Sequence, residues 1–546
     1  TLLASAYFDA AKPVAERAAS VVAVGPDVIV STIGGVFKDG TVGAITAFSA
    51  DTVSCNIGDA NAIWIDCSSG SNCNQHPVIG TQIYRLKPVN GANQFEQIGM
   101  SWLKHGFCAA DAPNCGTPYT PHASCDWLGL FATDTYGAGL NGSQPNLGPR
   151  SEIQAFTGVY PYPYILAAGQ SGNAVYKRTQ VANNDIDTTM NAGAQYYSEV
   201  VYITTDESTT NGVRNNNYST KKLLASAGLN LSATGSTIQL VPAVQHWATV
   251  EPGVTVQHVD VSATDGRFTL GYKTTALGGG QYHYEFVLLN QNSDRSGQAF
   301  EVPLSPGASC TSVGFSDPEY HSGEPYSNVD WTPTVTANSN VRWAGETYAQ
   351  NVNANALRWS TAYSFRFNSN GVPTPGFVTL TLFKAGTPTT IQIPADVPGQ
   401  ACSIFTYCTP SVTTHGCSPA ISGTGTPSAT ATSGFTMNCT NVEGQQSGLF
   451  FYGTTQTAVA WALGSTSVRC VSAPVSRLSL QNSGGTVNQC NGTFSIDWNA
   501  WASSHPGAIG YPFSAGQSFY AQSWFRDAAA ITGTNLSGGL GFTLCP

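Results

Sequence analysis

Residues 282–302 read YHYEFVLLNQNSDRSGQAFEV. Tyr282, Tyr284, Phe286 and Leu288 alternate with His283, Glu285 and Val287, the period-two rhythm of a strand whose successive side chains face opposite ways. The polar run Asn290 to Gly297 interrupts the pattern and Ala299-Phe300-Glu301-Val302 resumes it, so the stretch predicts a hairpin. Working outward, Tyr363, Phe365 and Phe367 alternate with Ser364 and Arg366. After a turn carrying Gly371, Pro373 and Pro375, Val378, Leu380 and Leu382 alternate with Thr379 and Thr381, which predicts a second hairpin. Residues 198–205 (SEVVYITT) and 260–272 read as strands through their β-branched and aromatic content. Helical character is confined to residues 1–24, where Val14, Ala15, Ala18 and Val22 share a face. The expectation is an all-β protein of β-sandwich-like, disulfide-stapled domains with a short helical or extended N-terminal arm.

Composition sharpens this. Only 10% of the 546 residues are charged, while 57 Gly and 30 Pro punctuate the chain. The net charge of −10 gives no footprint for phosphate backbones, which excludes a nucleic-acid partner. No run approaches the length of a membrane-spanning helix. A composition shift near 386–401 places a domain break there. The expected organisation is an arm at 1–24, a large β-rich domain at 25–310, its sandwich continuation at 311–398, and a Cys-rich β domain at 399–546.

The 14 cysteines fall in two even blocks: Cys55, Cys67, Cys73, Cys108, Cys115 and Cys125, then Cys310, Cys402, Cys408, Cys417, Cys439, Cys470, Cys490 and Cys545. Even counts in separate regions suit intradomain disulfides, with Cys67 to Cys73 and Cys108 to Cys115 as short candidate staples. Zinc wants CxxC or HExxH knuckles, and the sequence has neither. Disulfides belong to oxidising compartments, and an opening Thr1 without a charged-then-apolar leader suits a mature product after signal-peptide removal. The expected location is extracellular or at the cell surface.

Five ordered motifs near the C-terminus, GTPSATATSGF, GLFFYG, RCVSAPVSRLSLQNSGGTVNQCNGTFSIDWNAWA, AGQSFYAQSWFRD and NLSGGLGFTLCP, resemble a C-terminal domain of secreted proteins from planctomycete-type bacteria. Residues 25 to about 310 are similar to a large domain of the same group, through GPDVIV, SCNIG, NQHPVIG, FEQIGMSWLKHGF, NGSQPNLGPRSEIQAFTG and LGGGQYHYEFVLLNQNSDRSG. GFSDPEYHSGEPYSNVDW and NALRWSTAYSFRF continue it. The resemblance implies export and a β-rich extracellular build, and brings no activity or catalytic residue with it.

Several constellations have chemical potential. His76, His105 and His122, with Asp111 and Asp126, offer metal ligands or an acid–base group, against a bland reading as locally bonded histidines in a disulfide-knotted region. Asp317, Glu319, Glu324 and Asp330 supply hard oxygens for calcium, without the ordered spacing of an EF-hand; Asn183, Asn184, Asp185 and Asp187 are a weaker version. Gly169-Gln-Ser171-Gly-Asn173 lacks the second glycine of a nucleophile elbow and reads as a turn. SWLKHGFC at 101–108 echoes one motif of the T2 ribonucleases without its partner motif. Paired carboxylates for glycoside hydrolysis need no adjacency in sequence, and the YPYPY run at 160–164 is a candidate sugar-stacking platform. Low charge and an all-β build favour a non-catalytic structural subunit of an extracellular filament, fibre or layer, joined to copies of itself through the arm or sheet edges. The alternative is a surface adhesin or glycan-binding protein, and a secreted hydrolase comes third. Calcium is the one cofactor the sequence suggests.

Overall fold

The computed structural model describes residues 25–66, 74–207, 213–305, 308–399, 403–462, 465, 467–513 and 517–544. The arm at 1–24 lies outside them. The chain divides into two compact units, Thr1–Leu304 with Ser309–Val397, and Pro398–Pro546 with Ser305–Ala308. The all-β class holds in both.

The first unit opens with a sheet of twelve strands. Its main path runs Asn230–Ala233, Tyr218–Ser226, Gln195–Ile203, Val78–Val89, Ala92–Met100, Thr179–Ala182, Ile45–Asn56, Ala132–Tyr136 and Ala112–Pro113. The 15-residue strand Val28–Val42 pairs along Ile45–Asn56. The sheet curls on itself, because Val36 and Phe48 near one end share a buried cluster with Leu223 and Leu231 near the other. Burial of apolar faces this large is the main force holding such a sheet.

Two five-stranded sheets follow and form a sandwich. One has the order Thr255–Ser262, Asp265–Gly278, Gln281–Asn290, Thr361–Ser369, Thr311–Ser316; the other runs Thr332–Thr336, Asn340–Ala344, Gly297–Pro303, Val372–Leu382, Thr390–Gly399. Phe300 stacks on Phe365 at 4.4 Å between ring centroids, and Trp343 meets Phe365 at 5.3 Å, filling the interior between the sheets. Both predicted hairpins are corrected here. Gln281–Asn290 pairs with Asp265–Gly278 and Thr361–Ser369, whereas Gly297–Pro303 lies in the opposite sheet. Thr361–Ser369 and Val372–Leu382 are likewise divided between the two sheets. Each intervening turn is therefore a corner of the sandwich. A true hairpin sits where one strand was expected: Ser262 pairs with Asp265, which splits 260–272 around Ala263 and Thr264. A boundary at 310 cuts through this sandwich, since strands from both sides of it pair within each sheet.

The second unit is also two-layered. Ile404–Tyr407, Thr534–Thr543, Ser518–Arg526, Ser447–Gly453, Ser476–Arg477 and Gln481–Asn482 form one sheet, and Ala420–Gly425, Phe435–Val442 and Gly492–Asp497 the other. Phe435, Phe450, Tyr452, Phe494, Trp498, Phe519 and Phe542 are buried together in one cluster of this unit.

Among the described residues the disulfides are Cys55–Cys115, Cys108–Cys125, Cys408–Cys470 and Cys417–Cys490. The short staple Cys108 to Cys115 is thus replaced by two longer links. Cys310 and Cys439 are free thiols, a correction to the expectation that all fourteen are paired. Cys439 is wholly buried on Phe435–Val442 and packs as a small apolar side chain. Cys67, Cys73, Cys402 and Cys545 fall outside the described residues.

Candidate functional site

Of the three candidate histidines, the fold brings two together. Val78 pairs with His105 across antiparallel strands, so His76, two residues earlier, arrives beside the His105 ring. His76 Nε2 and His105 Nδ1 share a hydrogen bond of 3.0 Å. The Tyr160 hydroxyl accepts from the His76 amide at 3.1 Å and donates to the His76 carbonyl. Tyr162 meets His76 edge-on at 4.9 Å, and Tyr164 lies 5.2 Å from His105. The two imidazoles are 1% and 2% exposed. Burial, with the Lys104 charge adding to it, lowers His76 to about 3; burial, His76 and Lys104 hold His105 well below the usual range. Both rings are therefore neutral at physiological pH and serve as hydrogen-bonded core. The YPYPY platform is corrected by the same contacts: Tyr160 and Tyr164 are buried against these rings rather than offered to solvent.

His122 stands apart, its ring 5.7 Å from Trp127 and its Nδ1 accepting from the Ser124 amide at 3.1 Å. Asp111 accepts from the His122 and Gly129 amides, and Asp126 from the Asp66 amide, so both carboxylates organise backbone.

The acidic run is divided. Asp317 accepts from Asn355 Nδ2 at 2.6 Å, and burial, with Asp330 and Glu319 nearby, pushes it up to about 7. Glu324 leaves this group to accept from the Arg150 amide at 2.6 Å and the Ser151 amide at 3.3 Å. Among the described residues, no group of three His, Cys, Asp or Glu side chains is arranged to hold a metal ion. Asp185 ion-pairs with Arg85 at 2.8 Å, and Asp187 accepts from Thr189 and Met190 amides. Ser171 lies in an exposed loop.

A concave site that sequence reasoning missed is in the second unit. Within Ser447–Gly453, Leu449 and Phe451 alternate with Phe450 and Tyr452. The latter pair enters the core, and the former faces the other side of the sheet with Trp524, Tyr520 and Leu536. Register sets Leu449 opposite Trp524 and Phe451 opposite Arg477. The hairpin Gln456–Ala460 with Val468–Val471, carrying Trp461 at its turn, raises a wall. The result is a cavity of about 350 Å³ lined by Leu449, Phe451, Trp461, Arg469, Val471, Ala473, Val475, Arg477 and Trp524. This is within the ordinary size of small-ligand sites, which are mostly apolar with a few polar groups.

The wall is pinned from several sides. Cys470 is bonded to Cys408, its amide donates to Gln522 Oε1 at 2.9 Å, and its carbonyl accepts from the Tyr407 hydroxyl at 2.6 Å. Gln522 Nε2 donates to the Val468 carbonyl at 2.8 Å. The Trp461 indole N–H donates to Thr534 Oγ1 at 3.1 Å, which fixes one aromatic face, and the Arg526 guanidinium lies 5.6 Å from the Trp524 ring centroid. A preformed pocket loses less conformational freedom when a ligand enters. The one signal available in the sequence was the placement of Arg469, Arg477 and Arg526 in an otherwise Lys/Arg-free stretch from 398 to 546.

No protein-family profile matches the chain, and no curated protein matches it. Among solved structures, the C-terminally truncated trimeric ectodomain of the C. elegans fusion protein EFF-1 aligns over 94% of this chain and 95% of its own at 7% identity. Its TM-score of 0.12 carries no argument.

Proposed function

We propose that this is an extracellular carbohydrate-binding protein, an adhesin in its physiological class, which works by capture rather than catalysis. The observation that carries the reading is the pinned cavity with Trp461 and Trp524 in its wall, partly exposed beside Leu449, Phe451, Val471 and Val475. Indole rings give a rigid apolar surface with a polar tip, suited to the C–H faces of a sugar ring with hydroxyls at its edge. Among the described residues, four disulfides suit an oxidising compartment and no helix is long and apolar enough to cross a membrane. The resemblance to secreted bacterial proteins supports the same location. The self-assembly expected through residues 1–24 falls on a segment outside the described residues.

The test is a glycan array probed with the full chain, followed by tryptophan-fluorescence titration of each hit. Binding that weakens about tenfold or more in Trp461→Ala and Trp524→Ala supports the reading, as removal of a central aromatic anchor does in other interfaces. An array with no signal above background removes it.

A further inference from the structure

We infer that the sugar held in this pocket is anionic, and that Arg469 and Arg477 read its charge; the inference rests on the carbohydrate reading above. Residues 398–546 contain three Arg, no Lys and three acidic residues. The fold gathers the cations and disperses the anions. Arg469 and Arg477 line the cavity, and Arg526 stands over the face of Trp524, which lines it too.

Each acid is engaged elsewhere. Glu443 pairs with His415 at 3.1 Å. Asp497 accepts from the Ala500 amide at 3.0 Å and the Gly434 amide at 2.7 Å, which caps the helix Trp498–Ser503. Asp527 accepts from the Thr414 amide at 2.9 Å and from Asn535 Nδ2 at 3.1 Å. Among the described residues, His415–Glu443 is the one ion pair of this stretch, so the three guanidiniums have no internal counter-charge.

Arg469 is half-buried in the cavity wall. Its Nε is shielded from solvent and has no hydrogen-bond partner among the described residues. The remaining N–H groups of a guanidinium form a planar fork that matches the two oxygens of a carboxylate or the oxygens of a sulfate. A pocket that combines two indoles with two such forks, on a chain whose net charge is −10, is a local inversion of charge suited to an acidic sugar and repelling nothing the ligand carries.

The experiment is calorimetric titration of the full chain with trigalacturonate, its fully methyl-esterified form and a sulfated galactose trimer, each in low and high salt. The expected result is at least tenfold tighter binding of an acidic trimer than of the ester, weakened by salt. That preference should collapse in Arg469→Gln and in Arg477→Gln. Arg477 is exposed at the rim, so its variant keeps the test open if Arg469→Gln fails to fold. Preference between the uronate and sulfated trimers assigns carboxylate or sulfate. Equal binding of acid and ester, still dependent on Trp461, overturns the inference and leaves the carbohydrate reading standing. No binding of any trimer overturns the inference, and an empty glycan array then removes the carbohydrate reading with it. Concentration-dependent oligomers that dissolve in Arg477→Gln would hand the pocket to a second copy of this chain and overturn both.

Discussion

Glu96 sits between two guanidiniums, 2.6 Å from Arg85 and 2.8 Å from Arg366. Arg366 continues to Glu285 at 3.0 Å, and Glu285 to His283 at 3.1 Å, giving a buried ionic row between the curled sheet and the sandwich of the first unit. Burial alone would raise the Glu96 carboxyl; Arg366 and Arg85 overcome it and hold it near 2. Breaking a buried pair by removing one partner typically costs about 3–5 kcal/mol, so Glu96→Gln should lower the urea midpoint of unfolding by a large margin. The pH profile has two limbs. With a folded value near 2, the Glu96 contribution is present above its unfolded value of about 4.5 and lost as pH falls toward 2. Burial lowers His283, but its bond to Glu285 and that carboxylate's charge raise it overall; its contribution is present below about 6.5 and lost as pH rises through the folded value. Denaturation midpoints measured across pH should therefore fall on both sides, and His283→Gln should remove the alkaline limb alone. Little at this scale was legible beforehand. His76 and His105 are 29 residues apart, and only the pairing of Val78 with His105 joins them. Glu96 and Arg366, which meet at 2.8 Å, are farther apart still in the sequence.

At the scale of elements, strands were legible and their partners were not. Alternation reports a period of two, which any strand obeys whichever neighbour it has. Gln281–Asn290 shows why the expected hairpin fails: Tyr284 stacks on Phe367 and Phe286 meets Phe300 and Phe367 inside the sandwich, while Val287 and Leu289 pack on Phe95 and Trp247. A strand buried on both faces needs sheet neighbours on both edges, and it takes them from 265–278 and 361–369. The pocket wall is a second case. The hairpin Gln456–Ala460 with Val468–Val471 is a two-stranded sheet of its own, and isolated hairpins are marginal. Cys408–Cys470 supplies its anchor. Replacing both cysteines by serine should cost about 2–5 kcal/mol in denaturation experiments and should weaken sugar binding more than replacing Cys417 and Cys490, whose link does not touch the wall. Equal loss of binding from both pairs would place the effect in global stability.

For the whole molecule, the all-β class was readable from alternating apolar runs between Gly and Pro punctuation, and the disulfide-rich build from 14 Cys in two even blocks. The site was not, because its walls come from four separate segments of the second unit. That unit holds Cys408–Cys470 and Cys417–Cys490 within itself and has its own buried cluster. A fragment spanning 398–546 should therefore unfold cooperatively on its own in calorimetry and keep the sugar affinity of the full chain. The central claim is that this pocket is where the protein meets its ligand. Hydrogen–deuterium exchange of the full chain, with and without saturating trigalacturonate, tests it most directly. Slowed exchange confined to 447–453, 456–461, 468–477 and 518–526 is the result expected; protection within 25–397, or none at all in these four segments, would contradict it.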